Sequence, residues 1–173
     1  MDNLIIRPET ENDHEAVYNL IKTAFETAKV ADGDEQDYME DLRKEDSYIN
    51  DLSLVAEIDG KIIGQNVLFK TYIESGKGNV DTLLLGPICV AIEYRDKGIG
   101  SALIKESFRI AKEKGFQSVF LCGDPLYYSR FGFIKAADLD IRIRKDIPEQ
   151  FVLAYELVEG SLKDVSGYLH INF

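Results

Sequence analysis

The chain has 173 residues, 45% of them hydrophobic, which fits one globular domain large enough to bury a core. A formal net charge of −11 serves solubility, disfavours DNA and RNA as partners, and favours a cationic small molecule. No stretch approaches the roughly 18 apolar residues of a membrane span, and residues 1–7 lack the pattern of a signal peptide, so we expect a cytoplasmic protein that contacts no membrane.

The first third of the chain predicts one strand and two helices. The predicted ranges are a strand over 4–8, a helix over 13–28 and a helix over 35–45. Asp13 is expected to cap the first helix, since a short acidic side chain suits an N-cap. The second helix is very acidic, with Tyr38 and Leu42 as its inner face.

Three strands are predicted next, over 52–58, 62–73 and 82–92. Asp59-Gly60 between the first two is a two-residue hairpin signal, and 75–79 forms another turn. The third strand is almost continuously apolar, which is typical of a central strand covered on both faces. Gly86-Pro87 interrupts it, so we expect a bulge there or a parting of neighbouring strands.

The second half begins with an amphipathic helix over 99–114, ended by Gly115. A buried strand follows over 118–122. Asp124-Pro125 then starts a brief helix that Gly132 ends. Late strands are predicted over 151–158 and 168–173. Antiparallel runs with one strand–helix–strand crossover predict a mixed α/β sheet.

The turn before the long helix is the most informative motif. Its residues are Arg95-Asp96-Lys97-Gly98-Ile99-Gly100-Ser101. A helix N-terminus after a glycine-rich turn is suited to a phosphate or diphosphate, and the N–H groups from Arg95 to Ser101 could all face one anion. Leu103 stands where a dinucleotide fingerprint needs a third glycine, and the G-K-[ST] of a P-loop is absent. A plain strand-to-helix turn remains the alternative.

These residues resemble the cofactor motif Q/R-x-x-G-x-G/A of the GNAT superfamily of N-acetyltransferases. A second segment, Tyr127-Tyr128-Ser129-Arg130-Phe131-Gly132-Phe133, is similar to the family's Y-x-K/R-x-G-F, and the two motifs have the expected order and separation. The firm resemblance covers about 52–133. The ending over 155–160 and 165–167 resembles a bacterial branch with an extended C-terminal part.

The resemblance implies one GNAT domain over 1–173. Its fold would be α/β, with a mixed, largely antiparallel twisted sheet of about 6–7 strands, helices on both faces and a splayed central strand pair. The implied cofactor is acetyl-CoA, its diphosphate on the N–H groups of the turn and its pantetheine arm along the strand edge, like an added strand. The implied cofactor-binding residues are Cys89, Val90, Arg95, Asp96, Lys97, Gly98, Gly100 and Ser101.

Tyr128 is the implied catalytic residue. In the family, a tyrosine here approaches the sulfur of the cofactor. A phenol with a pKa of about 10 could give a proton or a hydrogen bond to a leaving thiolate whose thiol has a pKa of about 8.5. The alternative is a core aromatic with a satisfied hydroxyl.

A general base and the substrate contacts are less well marked. Glu35, Glu40 and Asp124 are candidates for accepting the proton of the amine, although the glutamates also suit a solvated helix and Asp124 suits an N-cap. Asn66 could orient the substrate. Two departures from the family pattern are Ile92, where many relatives have proline, and 121–125, where others carry an asparagine that binds the pantetheine arm.

Other chemistry fits poorly. Cys89 and Cys122 lie in apolar runs, which favours buried thiols and excludes a disulfide scaffold. His14 and His170 are distant from each other, so zinc has no ligand set and no metal is expected. Neither histidine has the context of a Ser-His-Asp site or of a cysteine nucleophile.

The sequence therefore predicts direct transfer of an acetyl group from acetyl-CoA to a primary amine of a small molecule or peptide. The acidic N-terminal helices favour a cationic acceptor. One alternative is a catalytically silent acyl-CoA-binding sensor or interaction module of the same fold, and another is an unrelated nucleotide-binding domain. The GNAT fold often dimerises, which makes a homodimer a further candidate.

Overall fold

The computed structural model describes residues 3–29 and 31–173. Met1 and Asp2, which belong to the segment used for the signal-peptide expectation, lie outside the described residues. The helices are α1 (His14–Glu26), α2 (Glu35–Leu42), α3 (Ile99–Glu113) and α4 (Pro125–Tyr128). The strands are β1 (Leu4–Pro8), β2 (Ser53–Ile58), β3 (Lys61–Ser75), β4 (Gly78–Val90), β5 (Ser118–Cys122), β6 (Ile134–Lys135), β7 (Ile141–Arg142), β8 (Val152–Glu156) and β9 (Gly167–Leu169).

The strands follow the order β1-β2-β3-β4-β5-β8-β6, and β9 pairs with β3 and β7. The pairs β4–β5 and β7–β9 are parallel, whereas β1–β2, β2–β3, β3–β9, β5–β8 and β6–β8 are antiparallel. The predicted mixed, largely antiparallel sheet is thus confirmed. In the described residues it has nine strands instead of six or seven, because β6 and β7 are too short to leave a periodic pattern in the sequence.

The chain forms two compact units. The first contains residues 1–68 and 86–110, and the second contains 69–85 and 111–173. The long strands β3 and β4 and the helix α3 contribute residues to both units.

The core of the first unit lies between its strands and α3. It contains Leu54, Ala56 and Ile63 from the strands, and Ile99 and Leu103 from the helix.

Gln65 and Asn66, which are consecutive residues of β3, face opposite ways because the side chains of a strand alternate. Asn66 contacts Ser107 of α3, and Gln65 contacts Met39 of α2. Helices α2 and α3 therefore cover opposite faces of β3.

The second unit is organised around β5. Leu83 and Leu84 of β4 pair with it on one side, at Val119 and Phe120. On the other side β8 pairs with it over its full length, from Ser118–Glu156 to Cys122–Val152. The paired residues of β4 lie just before Gly86-Pro87, the point at which the sequence predicts a bulge or a parting of strands.

Several predicted boundaries move. Helix α2 ends at Leu42. Its buried side chains are Gln36, Met39 and Leu42, whereas the sequence predicted an inner face of Tyr38 and Leu42. Strand β4 ends at Val90, because residues 92–94 form a 3₁₀ turn. The late strands shrink to 152–156 and 167–169.

The expected role of Asp13 was wrong. Asp13 precedes α1, but its carboxylate makes no capping bond to that helix, since its backbone is already helical with φ −88° and ψ −16°. The carboxylate instead accepts from the Thr10 N–H at 2.8 Å and from the two Arg7 Nη atoms at 2.7 and 3.0 Å. It therefore ties the end of β1 to the turn that starts α1.

Candidate active site

The glycine turn lies between the 3₁₀ turn of 92–94 and the first turn of α3. Asp96 and Gly98 take left-handed backbone conformations, with φ values of +58° and +80°. Aspartate tolerates this region and glycine occupies it without steric cost, which explains both residue types at these two places. A Cβ built on Gly98 has nothing within 4 Å, so the turn is open on this side.

The backbone amides of this turn are unpaired. In the described part of the chain, no acceptor is found for the N–H groups of residues 96–101. The first intrahelical bond of α3 runs from the Ala102 N–H to the Gly98 carbonyl at 3.0 Å. The free amides and the positive end of the α3 dipole thus lie together, an arrangement that stabilises an anion.

Arg95 departs from the prediction. Its N–H donates to the Ile92 carbonyl at 3.3 Å, so this amide does not belong to the free set. Its guanidinium donates from Nη2 to the Ala24 carbonyl at 3.0 Å and from Nη1 to Thr27 Oγ1 at 3.2 Å. Nε donates to the Val90 carbonyl at 3.2 Å. Arg95 therefore ties the C-terminal end of α1 to β4, a favourable place for a cation.

Lys97 keeps its backbone amide free while its side chain folds back. Its Nζ donates to the Glu93 carbonyl at 3.1 Å and lies 5.4 Å from the centre of the Tyr94 ring. Lys61 reaches the same ring at 5.6 Å and pairs with Glu93 at 3.1 Å. Two ammonium groups consequently flank the aromatic ring that precedes the turn.

Cys89 and Val90 form the end of β4. The Cys89 side chain is 8% exposed, and burial raises the pKa of its thiol to about 12. The following residue, Ala91, donates its N–H to the Ile63 carbonyl at 2.8 Å. The Cys89 side chain is therefore a neutral packing group, and only the backbone of this segment remains a candidate for contacts with a ligand.

Tyr128 lies at the end of α4. Asp124 caps this short helix by accepting from the Leu126 N–H at 2.9 Å, as predicted, and Gly132 ends the following turn with φ +93°. The Tyr128 ring packs edge-on against Tyr127 and Phe133, with centroid distances of 4.9 and 5.9 Å. Among the described residues its hydroxyl has no hydrogen-bond partner, unlike the satisfied hydroxyl of an ordinary core tyrosine. Burial raises the pKa of this phenol, and the electrostatic effects of Tyr127 and Asp124 raise it further.

The two glutamates predicted to contact substrate have local partners. Glu35 accepts from the Asp32 and Gly33 N–H groups at 2.7 and 3.1 Å, which closes the turn before α2. Glu40 accepts from Arg43 at 2.5 Å and remains 41% exposed. Both carboxylates thus have structural roles, and Glu40 keeps an open face.

Asn66, the residue predicted to orient the substrate, is buried. Its side chain is 0% exposed, and its Nδ2 donates to Ser107 Oγ at 3.0 Å inside the core. Asn66 Oδ1 has no partner in the described residues. The orientation follows from the alternation along β3, which turns position 66 towards α3.

Glu9 is the centre of a buried cluster that the sequence reasoning missed. Its carboxylate accepts from Arg43 Nε and Nη2, both at 2.9 Å, from the Tyr48 hydroxyl at 2.7 Å and from Ser53 Oγ at 2.9 Å. Burial raises the pKa of Glu9, but the hydrogen bonds and the Arg43 charge outweigh burial and lower it. The one available signal was an arginine at the end of an otherwise acidic helix.

The described residues contain neither a cluster of metal ligands nor a helix that could span a membrane. No group of three or more His, Cys, Asp or Glu side chains is arranged to hold a metal ion. None of the helices in that part of the chain has the length and apolar character needed to cross a bilayer.

The amino-acid sequence matches one known protein family and resembles two named proteins. The model of the Acetyltransferase (GNAT) domain matches residues 5–136. The chain belongs to the GNAT family. It is 32% identical over 165 residues to the uncharacterized N-acetyltransferase YhbS of Escherichia coli K12, a match that covers 95% of this chain and 93% of that protein. It is also 35% identical over 102 residues to the uncharacterized N-acetyltransferase YjhQ of the same organism, covering 57% and 55% of the two chains.

Solved GNAT structures share the fold. The crystal structure of YhbS from Escherichia coli in complex with CoA aligns with a TM-score of 0.87 at 28% identity, covering 98% of this chain and 90% of that one. A GNAT acetyltransferase from Brucella melitensis in complex with acetyl-CoA aligns with a TM-score of 0.79 at 24% identity, covering 99% and 97%. The second likeness bears on the fold alone.

Proposed function

We propose that this GNAT protein transfers an acetyl group from acetyl-CoA directly to a primary amine. The observation that carries the proposal is the set of unpaired amides over 96–101 at the N-terminus of α3. Such a set suits a diphosphate, and the amides of Lys97, Gly98 and Gly100, with Ser101 beside them, would hold it. The pantetheine arm would follow the backbone of Cys89 and Val90.

The chemistry needs one bond made and one broken. The neutral amine attacks the thioester carbonyl carbon, a C–N bond forms, the C–S bond breaks, and the amine loses a proton to water or to a carboxylate. A backbone N–H that polarises the carbonyl would stabilise the charge that develops on its oxygen.

Tyr128 is proposed to donate a hydrogen bond to the departing sulfur. Because burial raises its pKa above the ordinary value of about 10, the phenol stays protonated at neutral pH. A phenol this much weaker as an acid than a thiol stabilises a thiolate by hydrogen bonding, and complete proton transfer to it would be uphill. The unpartnered hydroxyl leaves the donor available.

A cationic acceptor is the substrate class that charge favours. The net charge of −11 attracts cations, and the Glu40 side chain on α2 is 41% exposed. Glu35, Glu40 and Asp124 remain the candidates for a base. Spermidine and short diamines are therefore the first acceptors to test.

The test measures free thiol released from acetyl-CoA with a panel of amines, for the wild type, Tyr128→Phe and Tyr127→Phe. We expect turnover with at least one amine, and a loss of about 10²-fold in kcat for Tyr128→Phe with little change in the KM of acetyl-CoA. Tyr127→Phe is the matched control, since it changes the adjacent phenol, and its kcat should stay within about twofold.

Two outcomes would count against the proposal. Tight acetyl-CoA binding without turnover on any amine would favour the acyl-CoA-binding sensor. An unchanged kcat in Tyr128→Phe would remove Tyr128 from the mechanism.

A further inference from the structure

We infer that Gly123 is a positioning residue for the Tyr128 hydroxyl. Glycine is the one residue type without a side chain, so only glycine leaves room for the Tyr128 ring at its present place. The inference rests on the proposed role of Tyr128. Gly123 lies between the end of β5 and the cap of α4, with the Tyr128 ring beside it on the side where a Cβ would stand.

The space for a side chain at position 123 is already filled. A Cβ added to Gly123 would lie 2.7 Å from Tyr128 Cε2, 3.2 Å from Tyr128 Cδ2 and 3.1 Å from Leu121 Cδ1. Contacts of a Cβ essentially never fall below 3.0 Å, and ordinary ones begin at 3.4 Å, so the ring would have to move by about 0.3 to 0.7 Å from its present 2.7 Å.

The reason for glycine here is steric and not conformational. The glycines with left-handed φ values do not include Gly123, so its backbone is one that alanine can adopt. Gly98 and Gly132 contrast with it, since both need a positive φ. A substitution of Gly123 by alanine therefore changes the space beside the ring and leaves the turn itself allowed.

The surroundings of the ring leave little freedom to absorb a methyl group. Phe133 and Tyr127 pack against it edge-on, and Phe131 lies 6.4 Å away, centre to centre. The Tyr128 N–H donates to the Asp124 carbonyl at 3.1 Å, and the Gly123 N–H donates to the Phe151 carbonyl at 2.9 Å. Both backbone segments are thus held, and the displacement falls on the side chain that carries the hydroxyl.

A displacement of this size matters for a hydrogen bond that must form at the departing sulfur. Hydrogen bonds weaken steeply with distance and angle, and a misplacement of about 1 Å can cost about 10²-fold in rate. Gly123 contributes no group to the reaction. Its effect runs through Tyr128 alone, and that dependence gives the test.

The experiment is a double-mutant cycle of Gly123→Ala and Tyr128→Phe, read out as kcat and as the KM of acetyl-CoA. We expect Gly123→Ala to lower kcat by about 10-fold to 10²-fold with KM nearly unchanged, and to lower it no further in the Tyr128→Phe background. Gly76→Ala is the matched control, since Gly76 has no positive φ and a Cβ there meets nothing within 4 Å.

The possible results separate the two claims. If Tyr128→Phe keeps full kcat, the proposed role of Tyr128 fails. If Tyr128→Phe lowers kcat but Gly123→Ala does not, or if the two effects multiply, the positioning role of Gly123 is overturned.

Thermal unfolding supplies a readout that does not depend on activity. Gly123→Ala should lower the melting temperature more than Gly76→Ala does, and most of that loss should disappear when Tyr128→Ala removes the ring. An equal loss with and without the Tyr128 ring would also overturn the inference, because the methyl group would then be clashing elsewhere.

Discussion

Cys89 carries a thiol at the end of β4, in the segment proposed to lie along the pantetheine arm. A cysteine there could in principle take the acetyl group before the amine does. Its surroundings argue against that route, because burial raises the pKa of the thiol to about 12 and leaves roughly one thiolate in 10⁴ molecules at pH 8. The residue therefore favours direct transfer over an acetyl-cysteine intermediate.

Cys89→Ala should consequently keep kcat within about threefold of the wild type. Incubation of the wild type with acetyl-CoA alone should add no acetyl mass to the protein in intact-mass spectrometry. Cys122→Ala serves as the parallel variant, since burial also raises the pKa of the Cys122 thiol, to about 11. An acetylated protein whose acetyl group disappears on adding amine would contradict direct transfer.

At the scale of elements, Glu9 and Arg43 join two parts of the first unit. Glu9 follows β1, and Arg43 lies at the end of α2. Their side chains are 1% and 8% exposed, so both charges are withdrawn from water. Removing one partner of such a pair leaves an uncompensated buried charge, which costs about 3–5 kcal/mol of unfolding free energy.

Glu9→Gln should therefore lower the free energy of unfolding by about 3 kcal/mol or more at pH 7. The folded-state pKa of Glu9 is lowered, so the pair contributes fully above the unfolded value of about 4.3 and loses its contribution as the pH falls through the folded-state pKa. The difference between wild type and Glu9→Gln in urea melts should shrink accordingly below about pH 4.

The exposed pair of Asp41 and Lys44 gives the control for Glu9→Gln. Its side chains are 75% and 72% exposed, and such pairs contribute little, so Asp41→Asn should cost well under 1 kcal/mol. A Glu9→Gln variant as stable as Asp41→Asn would show that the buried cluster is not a source of stability.

Elements could be predicted where local chemistry alone decides them. The Asp59-Gly60 hairpin has φ values of +50° and +80°, as its residue types suggest, and α3 begins at Ile99 and ends just before Gly115, close to the sequence prediction. Asn66, Gln65 and Glu9 could not be predicted in the same way. The contacts of Asn66 and Gln65 depend on which helix packs over each face of β3, and those of Glu9 depend on an arginine that is distant in the sequence. No local sequence pattern indicates either kind of contact.

At the scale of the whole molecule, charge poses opposite demands for the two proposed substrates. A net charge of −11 attracts a cationic amine over long range, but it repels the phosphates of acetyl-CoA. The free amides of residues 96–101 act at contact distance, where salt screens little. The two substrates should therefore respond differently to ionic strength.

Raising NaCl from about 50 mM to about 500 mM shortens the screening length from roughly 14 Å to roughly 4 Å. We expect the KM of a polyamine acceptor to rise several-fold, and the KM of acetyl-CoA to stay level or fall. A singly charged amine is the control, because its KM should rise less. A KM of the polyamine that is independent of salt would remove long-range charge from the account of acceptor choice.

The close approach of α3 to β3 has a consequence for how this protein can diverge. A Cβ on Gly64 would lie 3.1 Å from Leu103 Cδ1 and 3.3 Å from Ile99 Cγ2, so a larger residue would press against the first turns of the helix. That first helical turn carries part of the set of amides proposed to hold the diphosphate. The position of these amides relative to the sheet therefore depends on one small residue of β3, so position 64 tolerates few substitutions although it lies outside the residues proposed to contact acetyl-CoA.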